Sequence, residues 1–333
     1  MTEQALTVPE LLSLQSGDLV LELAPGVGGS MASFYSAANK NQARIDWLRP
    51  ASAAALAARD PLGMASFPLL PWCNRLRDGH ALAHGSHGRP IHLAPNYQGS
   101  PHTIHGVGWQ HPWQLSGNTP DSAVLEFVYR PSLSKSQDKE IGWPWAFSAW
   151  QSFKLDASGL ACQMTLRNDS DELMPFGLGH HPYFEHLPGT QLQCNLSDRG
   201  QMWESDAHCL PTGLATPGFL QALREGVELA RLNLDNNFTG WQRRFRVDWP
   251  AEPGLPGRAG RHLTLTAASP LDFFVLYCPQ GEPFFCAEPV SNCTDWLNLQ
   301  GRMPADSLGG GELAPGASCS TTFRMDVASV HGA

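Results

Sequence analysis

The chain is predicted to be an all-β protein, and three observations support this. Apolar runs with strand-like alternation recur along the chain, and turn residues separate them. Glycine and proline are abundant, with 32 and 27 residues, whereas charged residues make up only 16% of the chain. This composition favours many turns between short strands over long helices with surface ion pairs. We therefore expect a large antiparallel β-structure with a few short helices.

The individual elements follow from the local patterns. Residues 149–168 are predicted to form two antiparallel strands, because Asp156-Ala157-Ser158-Gly159 has the composition of a hairpin turn. Helical patterns are confined to PELLSLQ, residues 9–15, and to Gly218–Leu232. Strands are predicted within residues 18–25, 29–38, 44–50, 123–131, 147–169, 262–278 and 318–327.

The domain organisation is predicted to be simple. No stretch has the composition of a Gly/Ser-rich or charged linker, and no repeat of fixed period is visible. We therefore expect a single domain over residues 1–333, with a core at about 15–328.

Charge and targeting signals limit the partners. A formal net charge of -9 argues against nucleic acid or an anionic membrane surface, because such partners are usually met by basic stripes. There is no basic segment followed by a signal-like apolar run, and no uncharged apolar stretch of membrane-spanning length, so a cytoplasmic location is expected. The eight cysteines are scattered without a C-x-x-C pair, which predicts free thiols and no structural zinc.

Residues able to carry chemistry are concentrated in short segments rich in Trp, Pro and His. This mixture is typical of a concave sugar site, in which aromatic faces contact C–H surfaces and polar groups bind hydroxyls. The segments are 68–79, 102–113, 176–184 and 285–298, with LDNNFTGW at 234–241 between the last two.

Five short motifs in these segments resemble, in their order, those of the aldose 1-epimerases of the galactose mutarotase-like superfamily. The resemblance covers about residues 68–298, and the motif that ends it is followed by an asparagine, as in the family. The matching residues are Asn74-Arg75 with Gly79, His105-Gly106, His181-Pro182-Tyr183-Phe184, Asp235-Asn236-Asn237-Phe238 and Glu288-Pro289 with Asn298.

The resemblance implies a β-supersandwich and an activity. The family interconverts the α and β anomers of a free aldohexose without a cofactor or metal. Glu288 is implied to be the general base on the anomeric hydroxyl, and His181 the general acid on the ring oxygen. The implied partner is a small-molecule sugar, and we expect a monomer or homodimer. The sugar hydroxyls and developing charge are implied to be held by Asn74, Arg75, His105 and Asp235.

This chemistry explains the residue types. A cyclic hemiacetal opens when one group takes the proton from O1 and another donates a proton to O5; rotation about C1–C2 and reclosure then give the other anomer. A glutamate can be the base if its surroundings keep it ionised, and a histidine with a pKa near about 6.5 can be charged before the transfer and neutral afterwards.

Alternatives for single residues remain open at this stage. His180 is adjacent to His181, and neighbouring side chains of an extended segment point to opposite faces, so only one of them is expected to enter a site. Several tryptophans are candidates for the aromatic side chain that stacks on a sugar, and each of them could instead be a core residue. A metal site is disfavoured, because the spacing of His80, His84 and His87, and of His102 with His105, lacks helical context. The tryptophans are Trp109, Trp113, Trp143, Trp145 and Trp296.

Three other functions also remain possible. A hexose-6-phosphate 1-epimerase would share His181 and Glu288 and add cationic side chains, which Arg75, Arg77 and Arg89 could supply. A sugar-binding or sensing protein could keep the pocket without catalysis. A glycoside hydrolase would need two carboxyl groups at the scissile bond, for which Glu288 and Asp235 are the candidates.

Overall fold

The computed structural model describes residues 9–39, 43–86, 88–132, 134–136, 139–251 and 260–329. About 50% of the chain is strand and 11% is helix, so the all-β prediction is confirmed. None of the helices in these described ranges combines the length and apolar character needed to cross a membrane.

The largest sheet has nine antiparallel strands and contains both chain halves. Its strands, in spatial order, are Gln114–Thr119, Ser122–Tyr129, Phe147–Asp156, Gly159–Asn168, Ser318–Ser329, Arg261–Ala267, Trp241–Trp249, Gln191–Leu196 and Val227–Glu228.

A second antiparallel sheet has eight strands. Seven form the main path, in the order Pro211–Ala215, Met202–Ser205, Leu234–Phe238, Phe273–Cys278, Phe284–Val290, Gly179–His180 and Pro68–Leu69. The eighth strand, Tyr183–Glu185, also pairs with Phe284–Val290.

Smaller sheets complete the fold. One has four strands, Leu12–Ser16, Leu19–Ala24, Ser30–Ser36 and Ile45–Asp46. Four strand pairs join Arg75–Leu76 to Thr103–Ile104, His80–Ala83 to Arg89–His92, Ser134–Ser136 to Lys139–Ile141, and Met174–Phe176 to Gly311–Leu313. The helices are Ala53–Ala58, Phe219–Glu225 and Trp296–Leu299, with short 3₁₀ turns at Pro61–Gly63, Arg77–Gly79, His84–Ser86, Gly108–Gln110, Leu229–Arg231 and Ala305–Ser307.

The two large sheets pack face to face through aromatic side chains. Phe245 of the nine-stranded sheet lies 6.0 Å from Phe184 and 5.7 Å from Phe274 of the eight-stranded sheet, measured between ring centroids. All three rings are fully buried. Aromatic pairs at these separations bury large apolar areas, so this layer is a main source of stability.

The predicted hairpin is confirmed, and one predicted helix is wrong. Phe147–Asp156 pairs with Gly159–Asn168, and Asp156 Oδ1 accepts hydrogen bonds from the backbone N–H groups of Ser158 and Gly159. The helix predicted over residues 9–15 is absent: the strand Leu12–Ser16 occupies most of this segment, because Gly17 at φ +62° turns the chain into a hairpin with Leu19–Ala24.

The other helices also differ from the prediction. The helix predicted over Gly218–Leu232 covers only Phe219–Glu225, because Gly226 at φ +113° leaves the helical region. The helix Ala53–Ala58 was not predicted, although Ser52 provides an N-cap whose hydroxyl accepts a hydrogen bond from Ala55 N–H. The short helix Trp296–Leu299 was not predicted either.

The eight-stranded sheet presents two different faces, and this alternation positions the site. On the strand Phe284–Val290, Phe285 and Ala287 join the main core between the sheets. Cys286 and Val290 belong instead to a second apolar cluster on the opposite face. Glu288 alternates with Ala287 and therefore projects on the side of the second cluster.

Candidate active site

A cleft of about 350 Å³ lies on this second face of the eight-stranded sheet. Its volume is at the lower end of the range of roughly 300–1,000 Å³ found for small-molecule sites. All six site residues predicted from the sequence line it, although they are far apart along the chain. The lining consists of Leu62, Asn74, Arg75, Tyr97, Ile104, His105, His181, Tyr183, Cys209, Asp235, Tyr277 and Glu288.

Strand register places the acidic side of the cleft. Asp235 lies directly opposite Tyr277 on the neighbouring strand, and Val275 lies opposite Glu288 on the next one. Tyr277 and Val275 are two positions apart on the same strand, so all four side chains share one face. The two carboxyl groups of the cleft are therefore held by regular sheet geometry.

The opposite side of the cleft is held by a two-stranded pairing and its flanking residues. Arg75 pairs with Ile104, and the backbone N–H of His105 donates to the carbonyl of Asn74. In return, the backbone N–H of Asn74 donates to His105 Nδ1 at 3.2 Å. Because Nδ1 accepts this bond, the neutral imidazole of His105 carries its hydrogen on Nε2.

Steric constraints explain why the two N-terminal motifs contain glycine. Gly106 has φ +75°, and a Cβ there would lie 1.9 Å from the Leu70 carbonyl oxygen. Gly79 has φ +66°, and a Cβ there would lie 2.0 Å from the Leu93 carbonyl oxygen. Only glycine fits both positions, so these residues fix the backbone that carries His105 and Arg75.

The Arg75 segment is clamped from a second side by Asp295. The buried Asp295 carboxylate accepts a hydrogen bond from the backbone N–H of Arg77 at 2.9 Å, and Asp295 N–H donates to the Arg75 carbonyl. Asn298 donates to Asp295 Oδ1 at 2.7 Å and to the His80 carbonyl at 2.8 Å. Asn298, the last residue of the motif series, therefore supports the clamp and is not part of the cleft lining.

The imidazole of His181 and the carboxyl group of Glu288 face one another at the base of the cleft. The distance between His181 Nε2 and Glu288 Oε1 is 3.3 Å, and the two side chains are 8% and 2% exposed. Glu288 Oε2 is buried and has no hydrogen-bond partner among the described residues. One carboxyl oxygen thus contacts the histidine, and the other is left for a further partner.

Burial favours the uncharged forms of this pair. It raises the pKa of Glu288 well above its usual range, and the negative charge of Asp235 adds to the rise while Arg75 opposes it. Burial also lowers the pKa of His181 to about 3, helped by the positive charges of Arg49 and Arg75. The expectation of a histidine titrating near its ordinary pKa is therefore wrong for the unliganded site.

His180 and His181 face opposite sides of the eight-stranded sheet, as their adjacency predicts. His180 is fully buried between the sheets, where its Nδ1 is hydrogen-bonded to the hydroxyl of Ser66 and its Nε2 lies 3.1 Å from Gln151 Oε1. Its ring also contacts Phe323. His180 is therefore part of the packed core, and only His181 reaches the cleft.

The cationic side chains that could bind a phosphate are each paired with a carboxylate. Arg75 Nη2 donates to Asp235 Oδ2 at 3.1 Å. Arg77 is paired with Asp295, and Arg89 with Glu172. Arg77 and Arg89 do not line the cleft.

The tryptophans considered as a stacking platform are core residues. Each is at most 3% exposed, and the described lining of the cleft contains tyrosines instead. Tyr97, Tyr183 and Tyr277 were not predicted as site residues. Tyr183 belongs to the motif His181-Pro182-Tyr183-Phe184, and Tyr97 lies in the polar segment NYQGSP, where an aromatic residue could have indicated a binding site. Tyr277 has no such sequence signal and lies in the cleft only because of its register with Asp235. Leu62, Ile104 and Cys209 are further lining residues without a sequence signal.

Three of the histidines whose spacing resembles that of metal ligands, His80, His102 and His105, contact other protein groups. His80 and His92 contact each other edge to face at 4.8 Å across a strand pair. His102 Nδ1 accepts a hydrogen bond from Asp78 N–H, in parallel with the bond between Asn74 and His105. His87 lies outside the described residues. Within the described ranges, no group of three or more His, Cys, Asp or Glu side chains has metal-binding geometry.

Fold and site together define a β-sandwich protein with an acid–base cleft of a size suited to a small polar ligand. The chain belongs to the aldose 1-epimerase family, whose sequence model matches residues 10–326. Its sequence is 27% identical over 295 residues to the uncharacterized protein YphB of Escherichia coli K12. The matched region covers 86% of this chain and 89% of YphB.

Solved structures with the same fold agree with this assignment. A protein from Escherichia coli K12, provisionally assigned as an aldose 1-epimerase, has a TM-score of 0.78 and 24% identity, with 96% of this chain and 99% of that chain covered. The galactose 1-epimerase of Lactobacillus acidophilus NCFM has a TM-score of 0.69 and 16% identity, with coverages of 96% and 95%. At these identities the structural matches establish the galactose mutarotase-like fold.

Proposed function

We propose that this protein is an aldose 1-epimerase that interconverts the α and β anomers of a free aldohexose. The observation that carries the proposal is the distance of 3.3 Å between His181 Nε2 and Glu288 Oε1 at the base of a cleft lined by polar residues. A donor and an acceptor placed together can serve the two oxygen atoms of one hemiacetal, O1 and O5.

In the proposed reaction, Glu288 takes the proton from O1 while His181 donates a proton to O5. The ring C1–O5 bond breaks as C1 becomes an aldehyde carbon. Rotation about C1–C2 presents the other face; as the ring closes, His181 takes the proton back from the O5 hydroxyl and Glu288 returns its proton to O1. Atoms and charge balance without a redox partner.

Binding of the sugar supplies the ionisation state that this reaction needs. In the unliganded cleft, burial favours the proton on Glu288 and a neutral His181. Sugar hydroxyls that donate to the free Oε2 of Glu288 favour the carboxylate, because hydrogen bonds to a charged form stabilise it. The proton can then pass to His181 across the 3.3 Å contact. His105, Asn74, Arg75 and Asp235 are proposed to bind the remaining hydroxyls.

The proposal is tested by the rate of anomer relaxation above the spontaneous rate, followed by polarimetry on glucose and galactose. His181→Asn and Glu288→Gln are each expected to lower kcat by about 10² to 10⁴-fold, the usual worth of a positioned acid or base. Control variants at exposed positions, His111→Asn and Glu282→Gln, are expected to retain activity. Full activity in either site variant would remove that residue from the mechanism, and binding of aldoses without any rate enhancement would favour a sensing function.

A neutral substrate is proposed over a phosphorylated one. In the described lining of the cleft, Arg75 is the single side chain with a permanent positive charge, and the Asp235 carboxylate neutralises it. A phosphate group entering this cleft would also meet Glu288. We therefore expect kcat/KM for glucose to exceed that for glucose 6-phosphate by at least about tenfold, which corresponds to about 1.4 kcal/mol. A preference for the phosphorylated sugar would contradict the proposed substrate class.

The Arg75–Asp235 pair also supports epimerisation over glycoside hydrolysis. A hydrolase needs two carboxyl groups free to act on the two sides of a glycosidic bond. Here the second carboxyl group of the cleft, Asp235, already accepts a hydrogen bond from Arg75. A chromogenic aryl glycoside is therefore expected to remain intact in the presence of the protein.

A further inference from the structure

The His181 ring belongs to a continuous column of stacked planar groups. Its centroid lies 4.7 Å from that of Phe67, with an interplanar angle of 18°, and 4.8 Å from that of Tyr183, at 29°. Phe67 stacks in turn on Trp109 at 5.4 Å. The guanidinium carbon of Arg49 lies 3.9 Å from the Tyr183 ring centroid and closes the column at the other end.

The column constrains the orientation of the imidazole. An imidazole between two nearly parallel aromatic faces can slide or rotate only within its own plane. The backbone N–H of His181 donates to the Phe67 carbonyl at 3.0 Å, which ties the histidine to the ring on which it stacks. The Nε2 atom is therefore held toward Glu288 Oε1 by stacking and by this backbone bond.

Arg49 is fixed by the backbone instead of by a carboxylate. Its Nη2 donates to the carbonyls of Leu62 and Met64, both at 2.9 Å, and its backbone N–H donates to the Tyr183 carbonyl at 2.8 Å. Among the described residues, no carboxylate forms an ion pair with the guanidinium. Its positive charge is therefore not neutralised by direct contact, and the charge acts on the groups beyond the Tyr183 ring.

We propose that Arg49 is a positioning residue for His181: its positive charge disfavours the protonated imidazole, and its stacking on Tyr183 holds the imidazole plane for proton exchange with Glu288. Arg49 itself is not among the residues that line the cleft. The part of this inference that concerns catalysis rests on the proposed function.

The charges around His181 are consistent with this role. The positive charges of Arg49 and Arg75 both lower the pKa of His181, in addition to the effect of burial. Arg75 is compensated by Asp235, whereas Arg49 has no such ion-pair partner within the described part of the chain. The titratable and charged groups around His181 on the surrounding elements are Glu288, Arg75, Arg49, His105 and Tyr183. His180 acts on it only electrostatically, from the other face of the sheet.

The test separates charge from shape with two substitutions. Arg49→Met removes the charge and keeps an apolar side chain, and Arg49→Lys keeps the charge but loses the planar stack and its paired hydrogen bonds. We expect Arg49→Met to raise the pH at which His181 titrates by roughly one unit. Arg49→Lys is expected to leave that pH within a few tenths of a unit of the wild type.

The titration is read from the ring resonances of His181 by NMR, assigned by their loss in His181→Asn. Arg244→Met, which removes an exposed charge on the nine-stranded sheet, is the matched control and is expected to leave the titration unchanged. In the mutarotation assay, Arg49→Met is expected to lower kcat by about tenfold with little change in KM, because the residue contacts no substrate.

An unchanged His181 titration in Arg49→Met would overturn the inference. If that variant does not fold, Arg49→Lys decides, because a rise of about one unit in His181 titration with the charge retained would contradict the role of the charge. The NMR measurement needs no turnover. A protein without mutarotase activity would therefore defeat the proposed function while the titration still tests the influence of Arg49 on His181.

Discussion

Arg75 and Asp235, which are 160 positions apart in the sequence, form an ion pair in the wall of the cleft with 3.1 Å between Nη2 and Oδ2. The pair is partly buried, and its two charges act in opposite directions on Glu288. Asp235 raises the pKa of the glutamic acid, and Arg75 lowers it. The pair therefore neutralises the wall of the cleft while leaving polar atoms available to hydroxyl groups.

Asp235→Asn is expected to raise KM for an aldose by at least about tenfold, because a hydrogen bond to a charged group contributes about 1.5–3 kcal/mol. The same substitution removes a negative charge near Glu288, so its pKa falls and the acid limb of the kcat/KM profile moves to lower pH. Steady-state polarimetry between pH 4 and pH 8 measures both effects. The exposed Asp171→Asn is the control, and an unchanged KM would contradict binding by Asp235.

Gly106→Ala is expected to destabilise the protein by at least about 2 kcal/mol, because its Cβ would overlap the Leu70 carbonyl oxygen. Gly88→Ala is a closely matched control. Gly88 has the same φ of +75° but no atom within 4 Å of its added Cβ, so its cost is limited to about 1 kcal/mol of backbone strain. Urea unfolding followed by tryptophan fluorescence compares the two. Equal losses would mean that the close approach to Leu70 is not the cause.

His180→Asn and His181→Asn are expected to affect different properties. The buried His180 ring is hydrogen-bonded to Ser66 and Gln151, and its replacement disrupts both bonds. We therefore expect the free energy of unfolding of His180→Asn to fall by about 2–3 kcal/mol. His181 lies in the cleft, and its replacement is expected to change stability by less than about 1 kcal/mol while abolishing most activity. Unfolding and mutarotation are measured on the same samples. Loss of activity without loss of stability in His180→Asn, and the reverse in His181→Asn, would contradict the assignment.

Stability is expected to fall as the pH drops from about 7 to 5. Burial lowers the pKa of both His180 and His181 from 6.5 to about 3, so in this window the unfolded chain binds protons that the native protein does not. Each such proton contributes a slope of about 1.4 kcal/mol per pH unit. Burial raises the pKa of Glu288, so this carboxyl group acts in the opposite direction. His105, whose pKa is also lowered by burial, acts with the other two histidines.

This pH dependence is measured by urea unfolding at half-unit intervals between pH 7 and pH 5. His180→Asn removes one of the three contributing histidines, so its stability is expected to decline less steeply than that of the wild type. An identical slope would show that His180 is not buried in its neutral form.

Local sequence patterns predicted the all-β class and the long strands, and the resemblance of short motifs to a known family pointed to the six proposed site residues. Alternation and turn composition are local properties, so the hairpin around Asp156 and the long strands could be read directly. The motifs pointed to Asn74, His105, His181 and Glu288, and the alternation of an extended chain predicted that only one of His180 and His181 enters the site. At residues 9–15 the local pattern predicted a helix, and the pairing of Leu12–Ser16 with Leu19–Ala24 decided for a strand instead.

The tertiary structure alone decided which side chains meet, and in which charge state. The sequence does not encode the register that places Tyr277 opposite Asp235, nor the column that joins Arg49 to His181 through Tyr183. The amino-acid types suggested an ionised glutamate and a charged histidine. Burial from water, which depends on every element around the cleft, favours the neutral forms of both instead, because desolvation penalises charge.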